Sequence, residues 1–289
     1  MTRPAPPWSL TPRWPVAAIA TAVAAAVAVA LAAGGCGQGG AGAGGDGAEP
    51  ARRDAGAQAG QASRSATPSQ PLYVAVGASE SVGQGAEDPL SEAWPQVLFR
   101  TALPRETVFV NLGVPGSTVA DALTQQAPEA ARLAPALVTV WLNVNDLLAG
   151  VSPADYEKRL AKLVHQVRRG GATKVLLANT PPLDRLPAYL ACVPGGGSAS
   201  PCRLAAKDRD RLASPARLNG LISAYNAAVA KVAKREGAIL VDLHAAGLAA
   251  RAAGTGASLV SPDGFHPSTA GHRAIAAAFA GALRDAGGA

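Results

Sequence analysis

Leu72-Tyr73-Val74-Ala75-Val76-Gly77-Ala78-Ser79 reads as a buried strand that runs into a tight turn. Five largely apolar residues in a row lack the alternation of a half-exposed strand, and Gly77 ends the run. The same pattern returns downstream. Thr107–Leu112, Leu137–Leu142, Lys174–Ala178 and Ala238–Leu243 are short runs rich in Val, Leu and Ile. Between and after them, Trp94–Ala102, Ser117–Gln126, Pro153–Arg169, Ala216–Glu236 and Ser268–Arg284 carry helical periodicity. Ser152-Pro153 and Ser214-Pro215 look like helix starts, with Ser as cap and Pro in the first turn, and Gly170-Gly171 looks like a stop. Strands alternating with helices predict an α/β domain, a parallel sheet with helices on both faces.

In such a sheet the crossovers are right-handed, so the carboxyl ends of the strands gather along one edge, where ligands bind. Three short segments follow predicted strands and so share that edge: Gly77-Ala78-Ser79, Asn111-Leu112-Gly113-Val114-Pro115-Gly116, and Asn143-Val144-Asn145-Asp146. A fourth, Asp263-Gly264-Phe265-His266, precedes the last helix. Ser79 is a candidate nucleophile that needs a base beside it; alone, a Ser in a strand-to-helix loop reads as a cap. His266 suits proton transfer near neutral pH, and Asp263 could fix its tautomer across the turn. Otherwise Asp263 caps the turn and His266 is exposed. His165 on the third helix, His244 after the fifth strand and His272, expected to point off the last helix, offer less. Gly116 permits close approach of a backbone N–H, and Asn145 can donate through its amide, although by itself it reads as an Asx turn. With the Ser79 N–H they would form an oxyanion hole, and Asp146 would orient the loop.

These blocks resemble the SGNH branch of the GDSL esterases and lipases, over Leu72 to Ala278. The resemblance implies a three-layer α/β/α fold with a flavodoxin-like, five-stranded parallel sheet of order 2-1-3-4-5. It also implies cofactor-free, metal-free hydrolysis of carboxylic esters through an acyl-enzyme. Ser79, Gly116, Asn145 and His266 would mark its four blocks, with Asp263 completing the triad. Two positions depart from the family's pattern. Its Gly-Asp-Ser is Gly77-Ala78-Ser79 here, without an Asp that supports the nucleophile loop, and the first Gly of its Gly-x-Asn-Asp block is Asn143. A non-catalytic module binding envelope glycans, or an acyltransferase, would use the same fold. Without a long apolar lid in the sequence, short acyl or acetyl esters are expected over long-chain lipids; the substrate classes in view are short-acyl, acetylated-glycan and lipid-derived esters.

The N-terminal quarter is of a different kind. Arg3 and Arg13 precede an uncharged run from Val16 to Ala33, and Cys36 follows small residues. That pattern predicts an export signal over residues 1–35, and Ala33-Gly34-Gly35-Cys36 resembles a lipobox that would put a lipid on Cys36. An uncleaved anchor or plain secretion are the alternatives; all three place the domain outside the cytoplasm, in the cell envelope or beyond. Residues 36–70 hold no large apolar side chain, so they read as a flexible tether reaching roughly 30–35 Å. The hydrolase domain would span residues 71–289.

Beyond Cys36 the chain has Cys192 and Cys202, flanking a Gly- and Ser-rich loop within the irregular stretch 181–213. In an exported protein a disulfide is the natural pairing, and no His near them suggests a metal. The net charge of +6 is dispersed without interleaved aromatics, which argues against nucleic acid as a partner. The expected partners are a small-molecule, glycan or lipid ester and the membrane that holds the lipid anchor. A monomer is expected.

Overall fold

The computed structural model describes residues 70–197, 201–204, 209 and 212–287. The expected export signal, Cys36 and all but the last residue of the expected tether lie outside the described residues. The five strands are β1 (Leu72–Gly77), β2 (Val108–Asn111), β3 (Leu137–Trp141), β4 (Lys174–Ala178) and β5 (Ile239–Val241). They form one all-parallel sheet in the order β2-β1-β3-β4-β5. The helices are α1 (Pro89–Glu92), α2 (Trp94–Ala102), α3 (Val119–Gln125), α4 (Ala127–Leu133), α5 (Val144–Leu148), α6 (Pro153–Arg168), α7 (Pro187–Leu190), α8 (Pro215–Glu236), α9 (Leu243–Ala252) and α10 (Thr269–Asp285).

The central strands alternate between two cores, as a sheet covered on both faces requires. Val74, Val76, Val138 and Val140 pack with α3, α4, α6 and α8, where the Tyr156 and Tyr225 rings stack at 4.3 Å. Tyr73, Ala75, Leu137 and Trp141 pack on the other face with α2 and α10, where Trp94 stacks on Phe279 at 4.2 Å. The helix starts follow the local chemistry. Ser152 accepts from the Asp155 N–H at 3.1 Å and Ser214 from the Arg217 N–H at 3.4 Å, each with Pro next. α6 stops where Arg169 and Gly170 turn left-handed, at φ 52° and 67°.

The run Ser117–Gln126 holds α3, which Thr118 starts through a capping box with Asp121, and α4 follows it with Pro128 in its first turn. Two expectations need correction. The stretch 181–213 is not wholly irregular, since α7 lies within it. His272 does not point off the last helix: it is fully buried, accepting from the Trp94 N–H and donating to the Gln84 carbonyl. Burial lowers its pKa, so it is a neutral core histidine that pins α2 and the loop after Ser79 to α10. Cys192 and Cys202 are joined as a disulfide. Among the described residues no helix is long and apolar enough to cross a membrane.

Candidate active site

β1 lies between β2 and β3 in the sheet, so the residues that follow it sit between the ends of those two strands. Gly77 is required at this turn: a Cβ there would strike the Ser81 hydroxyl and the Trp141 carbonyl. The chain then closes tightly, with the Ser81 N–H donating to Ala78 O at 3.1 Å and the Gln84 N–H to Ser79 O at 3.0 Å. Ser79 is left nearly buried, 7% exposed, at the sheet edge.

The loop before α10 supplies the partner. His266 Nε2 lies 3.1 Å from Ser79 Oγ, and His266 Nδ1 lies 2.6 Å from Asp263 Oδ2. Asp263 Oδ1 accepts three more hydrogen bonds, from Ser261 Oγ and Phe265 N–H at 2.8 Å and His266 N–H at 2.9 Å. Burial would raise the Asp263 pKa, but these donors and the imidazole outweigh it and hold the carboxyl at about 2. An ionised Asp263 keeps the proton on Nδ1, which leaves Nε2 free to accept from the Ser79 hydroxyl.

Gly116 follows β2 and Asn145 follows β3, the two strands that flank β1. Gly116 has φ 81°, a backbone conformation that favours Gly, with no atom within 4 Å of where a Cβ would stand. Asn145 lies in the first turn of α5 rather than in a free loop. Its amide donates to Ser117 O at 3.0 Å, which uses one of its two N–H groups and leaves the other. Asp146, fully buried, accepts from the Val119 N–H at 2.9 Å. These two bonds lash the Gly116 loop to the Asn145 loop. Burial raises the Asp146 pKa, which the Val119 bond partly offsets.

Two residues near Ser79 escaped the sequence reading. Gln126, 2% exposed, accepts from the Gly77 N–H at 2.9 Å and donates to Gly77 O at 3.0 Å and Ser117 Oγ at 3.2 Å. It joins the turn after β1 to the Gly116 loop, and at a helix end it carries no signal separating it from a solvated Gln. Glu80 Oε2 lies 3.4 Å from Ser79 Oγ, a second and longer acceptor for the same hydroxyl. Burial raises its pKa, opposed by its own backbone and by His266.

The two departures have local explanations. Ala78 is buried in the core, and the turn is held instead by Gln126 and by the Asn111 amide donating to Ser81 O at 2.6 Å. Asn143 has φ −159°, a conformation that does not need Gly, and its amide reaches Ala178 O at 3.5 Å. Among the described residues no cluster of His, Cys, Asp or Glu could hold a metal ion.

The esterase TesA of Pseudomonas aeruginosa is 31% identical over 117 residues, 40% of this chain and 57% of the esterase's own length. The alignment therefore covers little more than half of that relative. A solved structure of TesA covers 74% of this chain and 98% of its own, with a TM-score of 0.53 at 23% identity. The lipase/acylhydrolase of Enterococcus faecalis covers 75% and 96%, with a TM-score of 0.54 at 20% identity. Both share the fold. The GDSL-like lipase/acylhydrolase family model matches residues 75–274, which takes in every block described above, and the chain belongs to that family.

Proposed function

We propose that the chain is an exported serine esterase that cleaves carboxylic esters through an acyl-enzyme on Ser79. The observation that carries this reading is the unbroken line of hydrogen bonds from Asp263 through His266 to Ser79. His266 Nε2 takes the Ser79 proton as Oγ attacks the ester carbonyl, and Asp263 stabilises the resulting imidazolium. The Ser79 N–H, the Gly116 N–H and the free N–H of Asn145 receive the developing oxyanion. His266 then returns the proton to the leaving alcohol. In the second half, His266 takes a proton from water as the hydroxide attacks the acyl carbon, and it returns that proton to Ser79 Oγ as the bond to the acyl carbon breaks and the carboxylic acid departs.

Hydrolysis of p-nitrophenyl acetate tests this. Ser79→Ala should lower kcat on the order of 10⁶, and Asn145→Ala by about 10²–10³. Full activity in Ser79→Ala would overturn the mechanism. The N-terminal pattern supports delivery of residues 71–289 to the envelope on a lipidated Cys36. Metabolic labelling with a fatty acid should mark the wild type and not Cys36→Ser, whereas equal labelling would refute lipidation at that position.

A further inference from the structure

A cavity of about 870 Å³ has Glu80 and His266 in its wall, so it opens beside the reacting hydroxyl. Most of its remaining surface comes from three segments beyond β4: residues 181–187, α9, and residues 256–260 with the start of α10. Leu183, Leu186, Leu243, Leu248, Leu259 and Ile275 are among its apolar lining residues. Two of the charged side chains that line it are committed elsewhere. Arg251 pairs with Asp184 at 2.7 Å and donates to Pro182 O at 2.8 Å. Glu80 and Arg185 are the further charged groups of a mainly apolar wall, which offers few partners to the many hydroxyl groups of a sugar, whose burial without partners is costly. The volume lies toward the upper end for small-molecule sites, far beyond what an acetyl group fills.

We infer that this cavity receives a medium or long aliphatic chain of the ester, which departs from the short-acyl expectation. The inference rests on the esterase reading, since it places the chain by the position of Ser79 and His266. Chains on the acyl side and on the alcohol side present the same chemistry to the wall. Each buried methylene should raise kcat/KM by about four-fold until the cavity is filled.

The test uses the full domain and two series of esters. One is p-nitrophenyl acetate, butyrate, octanoate and dodecanoate; the other is ethyl acetate against octyl acetate. A rise of about 100-fold or more from the short to the long member of either series is expected, and the series that rises identifies the side. Ala250→Trp on α9 and Ala274→Trp on α10 fill the cavity from two helices, and each should cut the long-to-short ratio at least ten-fold. Calorimetry of Ser79→Ala with p-nitrophenyl octanoate reads the chain without turnover, and adding Ala250→Trp should weaken that binding. Turnover of acetate with flat profiles in both series would overturn the cavity assignment and leave the esterase reading standing. Octanoate ester binding that Ala250→Trp weakens, with no ester hydrolysed, would overturn the esterase reading instead. Neither turnover nor binding would overturn both.

Discussion

Replacing Asp263 with Asn separates orientation from charge at this site. Three donors converge on Asp263 Oδ1: Ser261 Oγ, Phe265 N–H and His266 N–H, all within 2.9 Å. Only an oxygen can satisfy them, so the Asn amide oxygen takes that place and its NH₂ is turned toward His266 Nδ1. The imidazole must then accept at Nδ1 and carry its proton on Nε2, 3.1 Å from Ser79 Oγ. A ring in that state cannot remove the Ser79 proton. The expected loss in kcat is about 10⁴, or roughly 5.5 kcal/mol of activation free energy. The three donors remain paired and the side chain is 39% exposed, so stability at pH 7 should change by only about 1 kcal/mol or less. Kinetics on p-nitrophenyl acetate, run beside a thermal melt, read both effects. The sign of the acid limb is fixed as well. Asp263 is depressed to about 2, so its stabilisation is present above its unfolded value of about 3.9 and lost as pH falls through 2. Wild type and variant should therefore converge in stability over that window. An Asn variant that kept a tenth of the activity with an unchanged melt would refute the tautomer argument.

Gln126→Leu leaves the buried Gly77 N–H without its side-chain partner, which should cost about 1–3 kcal/mol. Because that bond sets the nucleophile turn, kcat should fall at least ten-fold with KM little changed, measured by full kinetic curves. Ser at both Cys192 and Cys202 opens a short loop and should cost about 2.5–3 kcal/mol in urea denaturation. Glu80 has its pKa raised by burial, so the folded state favours its protonated form. The stabilisation is complete below the unfolded value and is lost as pH rises through the folded one. Glu80→Gln should therefore melt higher than wild type at pH 7, with the gain vanishing in acid; equal melts at pH 7 would remove Glu80 as a strained group.

What could be read in the chain follows how local each signal is. β4 and α2 have the bounds that the apolar runs and helical period predicted, and Asp263 and His266 meet because they stand three positions apart across a turn. Gly116 and Asn145 were found through the strands that precede them. Asp146 is legible as a residue that orients its loop, but not its partner Val119, 27 residues away, and Gln126 is not legible at all, because its partner Gly77 is 49 residues away. His272 looked peripheral because one-dimensional periodicity does not show that Trp94 and Gln84 close over it. α9 went unseen for another reason: it has only ten residues, it begins within the run read as the fifth strand, and Gly247 in its middle lowers helix propensity. Its wall of the cavity went unseen with it, and so did the case for a long chain.

The central claim is that Ser79 is a nucleophile activated by His266. Incubation with a fluorophosphonate probe, followed by peptide mass spectrometry, tests it most directly. The account predicts one probe per chain, attached at Ser79, absent in Ser79→Ala and strongly slowed in Asp263→Asn. A chain that stays unlabelled, or is labelled at another serine while Ser79 is left free, would contradict it.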